Sequence, residues 1–202
     1  MDEAEVIAAM RQWIEKAVIG LNLCPFAKAV YVKNQVRLVV SRAPHLDGLL
    51  EDLDRELDFL ATADPEAVDT TLLIHPALLP DFLDFNDFMQ LAEVAVDEHG
   101  LDGVIQIASF HPLFQFEGTA PDDMGNFSNR APFPTLHLLR EASIERAVAT
   151  FPEAEKIYQR NIETLEALGH AGWDALWAAP PKQQPPRSGA VSGAAFAGEA
   201  GT

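Results

Sequence analysis

The chain has 202 residues, 48% hydrophobic and 22% charged, the balance of a globular protein long enough to bury a core without disulfides or a structural metal. Fourteen Lys and Arg stand against 31 Asp and Glu, a formal net charge of -17, which argues against a duplex nucleic-acid partner and against docking on anionic lipid. The single cysteine, Cys24, excludes an internal disulfide and a multi-cysteine zinc site.

Residues 3–20 place Val6, Ile7, Met10, Ile14, Ala17 and Val18 at helical spacing and predict an amphipathic helix that stops between Gly20 and Pro25. Residues 29–41 are rich in Val and Tyr and read as strand, with Lys33-Asn34-Gln35 able to turn it into a hairpin. The leucines of 46–62 form a helical stripe. Asp and Glu dominate residues 45–69, with Arg55 the one base, and read as a solvated helix face or an acidic docking surface. A short buried strand follows at Thr70 to Ile74, a helix at 81–99 stopped by Gly100, and a strand at Val104 to Phe110. Two helices are predicted at 135–149 and 151–168, the second opened by a capping box at Thr150 to Glu153 and ended by Gly169.

Strands alternating with helices predict an α/β layer fold: a small three- or four-stranded sheet, at least partly parallel, flanked by about five helices. A single domain over 1–178 precedes a Pro/Gly/Ala-rich segment, 179–202, whose composition reads as a disordered tail. No apolar run reaches the length of a membrane span, and the acidic start Met1-Asp2-Glu3-Ala4-Glu5 is unlike a secretory signal, so a cytoplasmic setting is expected.

Three features point to chemistry. Two strands run into His-Pro, at His75-Pro76 and His111-Pro112, and ligands of open α/β sheets bind beyond parallel strand ends. The 111–134 loop is long enough to be functional, carries apolar anchors (Leu113, Phe114, Phe116, Phe127, Phe133), and offers Asp122, Asp123, Asn126, Asn129 and Arg130 between them. Thr135 reads as an N-cap that puts His137 in a first helical turn with Arg140 on the same face, a place suited to anions.

The segments Gly20 to Phe26, Leu73 to Pro76, Ser109 to Pro112, Asn129-Arg130 and Leu136 to Glu141 resemble the bacterial domain-of-unknown-function family 1415, over about residues 5–170. The resemblance implies a bacterial setting and brings no activity, substrate or cofactor with it.

Walker A, Rossmann glycine, His-Glu-x-x-His and Cys-x-x-Cys signatures are absent, so no nucleotide or redox cofactor motif is present. The leading expectation is a small-molecule enzyme, a hydrolase or group transferase acting on a phosphate- or carboxylate-bearing substrate. His111 or His137 would serve as general acid/base with Asp123 as its partner, and Cys24 is a candidate nucleophile. Arg130, Arg140, Asn126, Asn129, His75 and Thr135 would bind the substrate. One alternative is a divalent metal on His75, His111, Asp122 and Asp123; another is a non-enzymatic ligand-binding or interaction protein. The strand ends and the long loop are expected to meet in one pocket holding Asp122 and Asp123, with His75, His111, Arg130, His137 and Arg140 sharing its walls.

Overall fold

The computed structural model of the chain describes residues 1–151 and 153–177; the tail read as disordered lies outside the described residues. Helix α1 (Glu3–Trp13) starts with the Glu5 carboxylate accepting a hydrogen bond from the Asp2 N–H, and runs on into a π-helical turn, Ile14–Ile19. Helix α2 (Ala27–Val32) leads to strand β1 (Val36–Val40), and α3 (Leu46–Thr62) to β2 (Thr70–Ile74). Helix α4 (Phe82–Glu98) precedes β3 (Ile105–Phe110), a 3-10 turn (Met124–Asn129) and β4 (Thr135–Arg140). Helix α5 (Glu141–Thr150) and α6 (Ile157–Trp177) complete the order.

The fold is α/β, with one four-stranded sheet in the order β1-β2-β4-β3. Strands β1 and β2 are parallel and joined through α3, while β4 lies antiparallel between β2 and β3. Strands β2 and β3 therefore point the same way and end on the same edge. Because successive side chains alternate across a sheet, Leu73, Leu136, Leu138 and Ile105 face α3 and α4. There they meet Leu49, Leu53, Leu57 and Leu60 of α3 and Phe85, Phe88 and Ala92 of α4, all buried. Leu72 and Ile74 face the other way, onto Val6, Met10, Trp13 and Ile14, with Leu165 and Trp173 of α6 in the same cluster.

Four segments differ from expectation, one of them the helix expected from 151: Glu153 is left-handed (φ 62°), Ala154–Lys156 is a 3-10 turn, and α6 starts only at Ile157, without the capping box. Residues 27–32 are helix, and strand pairing starts only at Val36. The change of direction comes at Asn34 (φ 58°), whose left-handed backbone is one asparagine tolerates, with the Asn34 and Gln35 N–H groups donating to the Tyr31 and Val30 carbonyls. Residues 135–140 are strand, paired on both sides, and the helix begins only at Glu141. Gly169 kinks α6 (φ 64°, ψ 172°) and the helix resumes to Trp177.

Candidate functional site

The long loop is ordered by its own polar side chains and by α6. Asn126 is fully buried; its Oδ1 accepts from the Phe116 N–H (2.9 Å) and its Nδ2 donates to the Ala120 carbonyl (2.8 Å). Asp123 accepts from the Ala120 N–H, and Asn129 donates to the Ser109 carbonyl. Arg130 donates to the Phe114 and Pro121 carbonyls and lays its guanidinium over the Phe127 ring, 4.2 Å from the centroid. Phe127 meets Trp173 edge-on at 5.2 Å, Phe116 meets Tyr158 and Phe114 meets Phe82; Leu113, expected as an anchor, is exposed.

The two His-Pro turns do share one sheet edge, with the start of β4 between them. The His75 N–H donates to the Pro134 carbonyl and the His111 N–H to the Asn129 carbonyl. His111 stacks on Phe85 at 5.0 Å; its Nε2–H donates to the Leu79 carbonyl (3.0 Å) and its Nδ1 accepts from the Leu113 N–H (3.0 Å). That pairing fixes a neutral tautomer, and burial pulls its pKa down. His75 is buried beside the same phenylalanine and, among the described residues, neither ring nitrogen has a hydrogen-bond partner. Burial pushes its pKa down to about 4, with nearby His111 adding to the effect and the Leu78 backbone opposing it.

The residues expected to share one pocket are not gathered together: one cavity takes in His137 and Arg140 but not His75, His111 or Arg130. Arg130 is committed to loop carbonyls. Thr135 is no N-cap: it is a buried β4 residue whose hydroxyl donates to the Phe133 carbonyl. His137 therefore sits in mid-strand, without free helix-start N–H groups around it. Arg140 donates through Nη2 to the Ala63 carbonyl (2.8 Å) and the Val68 carbonyl (3.2 Å), tying the end of α3 to the end of β4. Among the described residues no group of three or more His, Cys, Asp or Glu is placed to hold a metal ion, so His75, His111, Asp122 and Asp123 do not converge as a ligand set.

A different meeting place exists on the opposite face of β4. A cavity of about 680 Å³ lies between the sheet, the π-helical turn, α2 and α5. Its floor is Thr70, Leu72, Ala108, His137 and Leu139, neighbours by register across three strands. Its walls are Trp13, Ile14 and Val18 on one side and Ile144, Ala147 and Phe151 on the other. Phe26 and Phe151 meet edge-on at 5.5 Å, and Trp13 meets Phe110 at 5.0 Å. Asp69, Arg140 and Ser143 lie along its border, where the Ser143 hydroxyl donates to the Asp69 carboxylate at 2.6 Å. Neither α2 nor α5 buries a residue fully, because the apolar side each turns toward the sheet fronts this space instead of packed side chains.

His137 and Thr70 are the polar pair of the floor. The His137 Nε2 lies 2.8 Å from the Thr70 hydroxyl, which itself donates to the Leu138 carbonyl at 2.6 Å. A hydroxyl has one proton, and the shorter bond takes it, so Nε2–H is the donor to Thr70 and Nδ1 keeps its lone pair. Nδ1 has no partner among the described residues and, unlike the nitrogens of His75, is not sealed off. Burial holds His137 neutral, with its pKa pushed down to about 4.

Cys24 reaches the same cavity through a tight turn. At Gly20 a Cβ would lie 2.3 Å from the Lys16 carbonyl, so only glycine lets the chain leave the π-helical turn here. The Leu23 N–H then returns to the Val18 carbonyl, with Asn22 in the left-handed region. Burial pushes the Cys24 thiol up, with N–H groups of Phe26 and Ala27 opposing, so it stays protonated at neutral pH and lacks the activation of a nucleophile. The cavity walls are not legible as a site in the sequence, because its local pattern reads as strand from residue 29 and as helix from residue 135, where the structure has α2 and β4.

Among the described residues no helix is long and apolar enough to cross a membrane. No curated protein and no solved structure matches the chain. A family model described as a protein of unknown function, DUF1415, matches residues 5–175, and the chain belongs to that family.

Proposed function

We propose that the protein takes a small, largely apolar molecule into the cavity over β4, where His137 meets its polar group. The observation that carries this reading is the cavity itself: about 680 Å³ with an almost entirely apolar lining and one oriented histidine in its floor. Ligand sites have this volume and this make-up, whereas packed interiors hold few voids larger than a water. Helices α2 and α5 turn apolar side chains toward a space that a ligand would fill.

A second reading makes the same site catalytic, with Nδ1 of His137 as general base. It is favoured by the Thr70 hydrogen bond, which holds the ring in one tautomer. It is weakened by the low basicity of His137, because a general base works best with a pKa near the working pH. Binding is therefore the reading we advance. The anionic substrate anticipated from Arg130 and Arg140 loses support: Arg130 and the Nη2 of Arg140 bond to main-chain carbonyls, and Arg140, whose buried Nε has no partner among the described residues, extends from the β4 face of Leu136 and Leu138, opposite that of His137.

The test is a fluorescence titration of the full chain with N-phenyl-1-naphthylamine, an uncharged dye that brightens in apolar sites. One saturable site per chain is expected. A linear, unsaturable signal equal to that of a non-binding control protein contradicts the proposal.

A further inference from the structure

Resting on the ligand-binding reading above, we infer that the cavity selects an uncharged aromatic molecule carrying one hydrogen-bond donor, a phenol or an N–H heteroaromatic. Two features of the site carry this.

The first is the direction of its hydrogen bonding. His137 gives its only proton to Thr70, and Thr70 gives its only proton to Leu138. The chain of donors runs away from the cavity and ends on a β4 carbonyl. What remains is the Nδ1 lone pair, an acceptor with nothing in the described protein to satisfy it. A bound molecule without a donor would leave that acceptor dry and unpaired; a molecule with a hydroxyl or ring N–H would complete it. The neutral state of His137 preserves this preference across the physiological range.

The second is the character of the walls. Trp13, Phe26, Phe110 and Phe151 line the space in two edge-to-face pairs, and the Phe110 ring centroid lies 5.8 Å from that of His137. Such rings offer both faces and edges to a flat aromatic guest. Charge is disfavoured. A buried carboxylate or ammonium needs a paired partner. At the border Asp69 is held by Ser143 and the Nη2 of Arg140 by two carbonyls; the Arg140 Nε is buried without a partner among the described residues, but that side chain leaves β4 on the Leu136/Leu138 face, turned from the floor.

The experiment compares five probes of similar size by calorimetry on the full chain: 2-naphthol, 2-methoxynaphthalene, naphthalene, 2-naphthoate and 2-naphthylmethylammonium. 2-Naphthol is expected to bind about tenfold tighter than naphthalene or 2-methoxynaphthalene, the size of one buried hydrogen bond. Both charged probes are expected to bind more weakly than naphthalene. In His137→Phe the preference for 2-naphthol over naphthalene should vanish while naphthalene still binds; the methoxy comparison on the natural chain tests the donor even if that variant does not fold. Equal affinity for 2-naphthol, its methyl ether and naphthalene would overturn the donor inference and leave the cavity reading standing. Tightest binding of 2-naphthoate or the ammonium would overturn the exclusion of charge. Failure of all five to bind would overturn the cavity reading itself.

Discussion

Thr70 and His137 are 67 residues apart in sequence, yet the hydroxyl of one lies 2.8 Å from Nε2 of the other on the floor of the cavity. Strand pairing puts them there, since Thr70 sits opposite Leu139 and His137 opposite Leu72, diagonal neighbours on one face. Removing the Thr70 hydroxyl leaves the His137 Nε2–H without a partner, while the Leu138 carbonyl keeps its place in the ladder opposite Thr71. Thr70→Val is expected to cost about 2 kcal/mol in urea unfolding, within the range for stranded buried polar groups. Nitrogen NMR should find His137 with its proton on Nε2 in the natural chain and spread over both nitrogens in the variant. A natural chain with the proton on Nδ1 would refute the assignment.

Acid should destabilise the protein through its buried histidines. His75 and His137 have folded pKa values of about 4, below the ordinary 6.5, so between these limits the unfolded chain binds more protons. Their contribution is complete above about pH 6.5 and is lost as pH falls toward 4, at about 2 kcal/mol each by pH 5. His99 runs the other way: Asp54 and Asp58 flank it and raise its pKa against a desolvation that lowers it. His75→Leu removes two unpaired buried nitrogens, so stability at pH 7.5 should be held or raised, and the acid limb should flatten by about 2 kcal/mol at pH 5. Denaturant midpoints across pH 4.5–8 for both chains check this; an unchanged acid limb contradicts it.

The 111–134 loop should fail as a unit. Asn126→Ala strands the Phe116 N–H and the Ala120 carbonyl inside it, an expected loss of about 2–3 kcal/mol. Limited proteolysis should then cut first within this loop. Arg130→Ala, which removes contacts at a partly exposed site, should cost less, about 1 kcal/mol, and leave dye binding unchanged.

Cys24 reports on the cavity. Its raised pKa predicts slow alkylation by N-ethylmaleimide at pH 7 compared with an unstructured thiol, and slower still with the dye bound. Alkylation unaffected by the dye would place the ligand elsewhere.

Much of the architecture was readable because long periodic segments leave little choice. The leucine stripe of α3, the inward phenylalanines of α4 and the short strands β2 and β3 all lie where their patterns put them. The placement of His75 and His111 on one edge followed from β2 and β3 pointing the same way. Strand β4 is hidden because Thr135-Leu136-His137-Leu138-Leu139-Arg140 runs without a loop into a real helix, and six residues with three leucines have no length to separate the two periods. What decides it is pairing on both sides with strands more than twenty residues away, information no local pattern holds. That misassignment moved the site. With His137 in a helix start, an anion pocket with Arg140 was the natural reading; with His137 in a strand, its neighbours are Leu72 and Ala108 and the space beside it is apolar. Polar loop residues such as Asn126 misled for a related reason: a side chain that orders a turn and one that binds a ligand have the same composition, and only their partners distinguish them.

The most direct measurement of the central claim is the thermal shift produced by N-phenyl-1-naphthylamine on the natural chain and on Ala108→Trp. Ala108 lies in the cavity floor opposite His137, and an indole there would occupy the space the ligand needs. Near a hundredfold excess over its Kd, the dye should stabilise the natural chain by about 2.7 kcal/mol, roughly 5–10 °C in Tm for a domain of this size. The variant should keep a Tm at least equal to that of the natural chain without dye and show no shift with it. A variant that folds and is still stabilised by the dye to the same extent would contradict the assignment of this cavity as the ligand site.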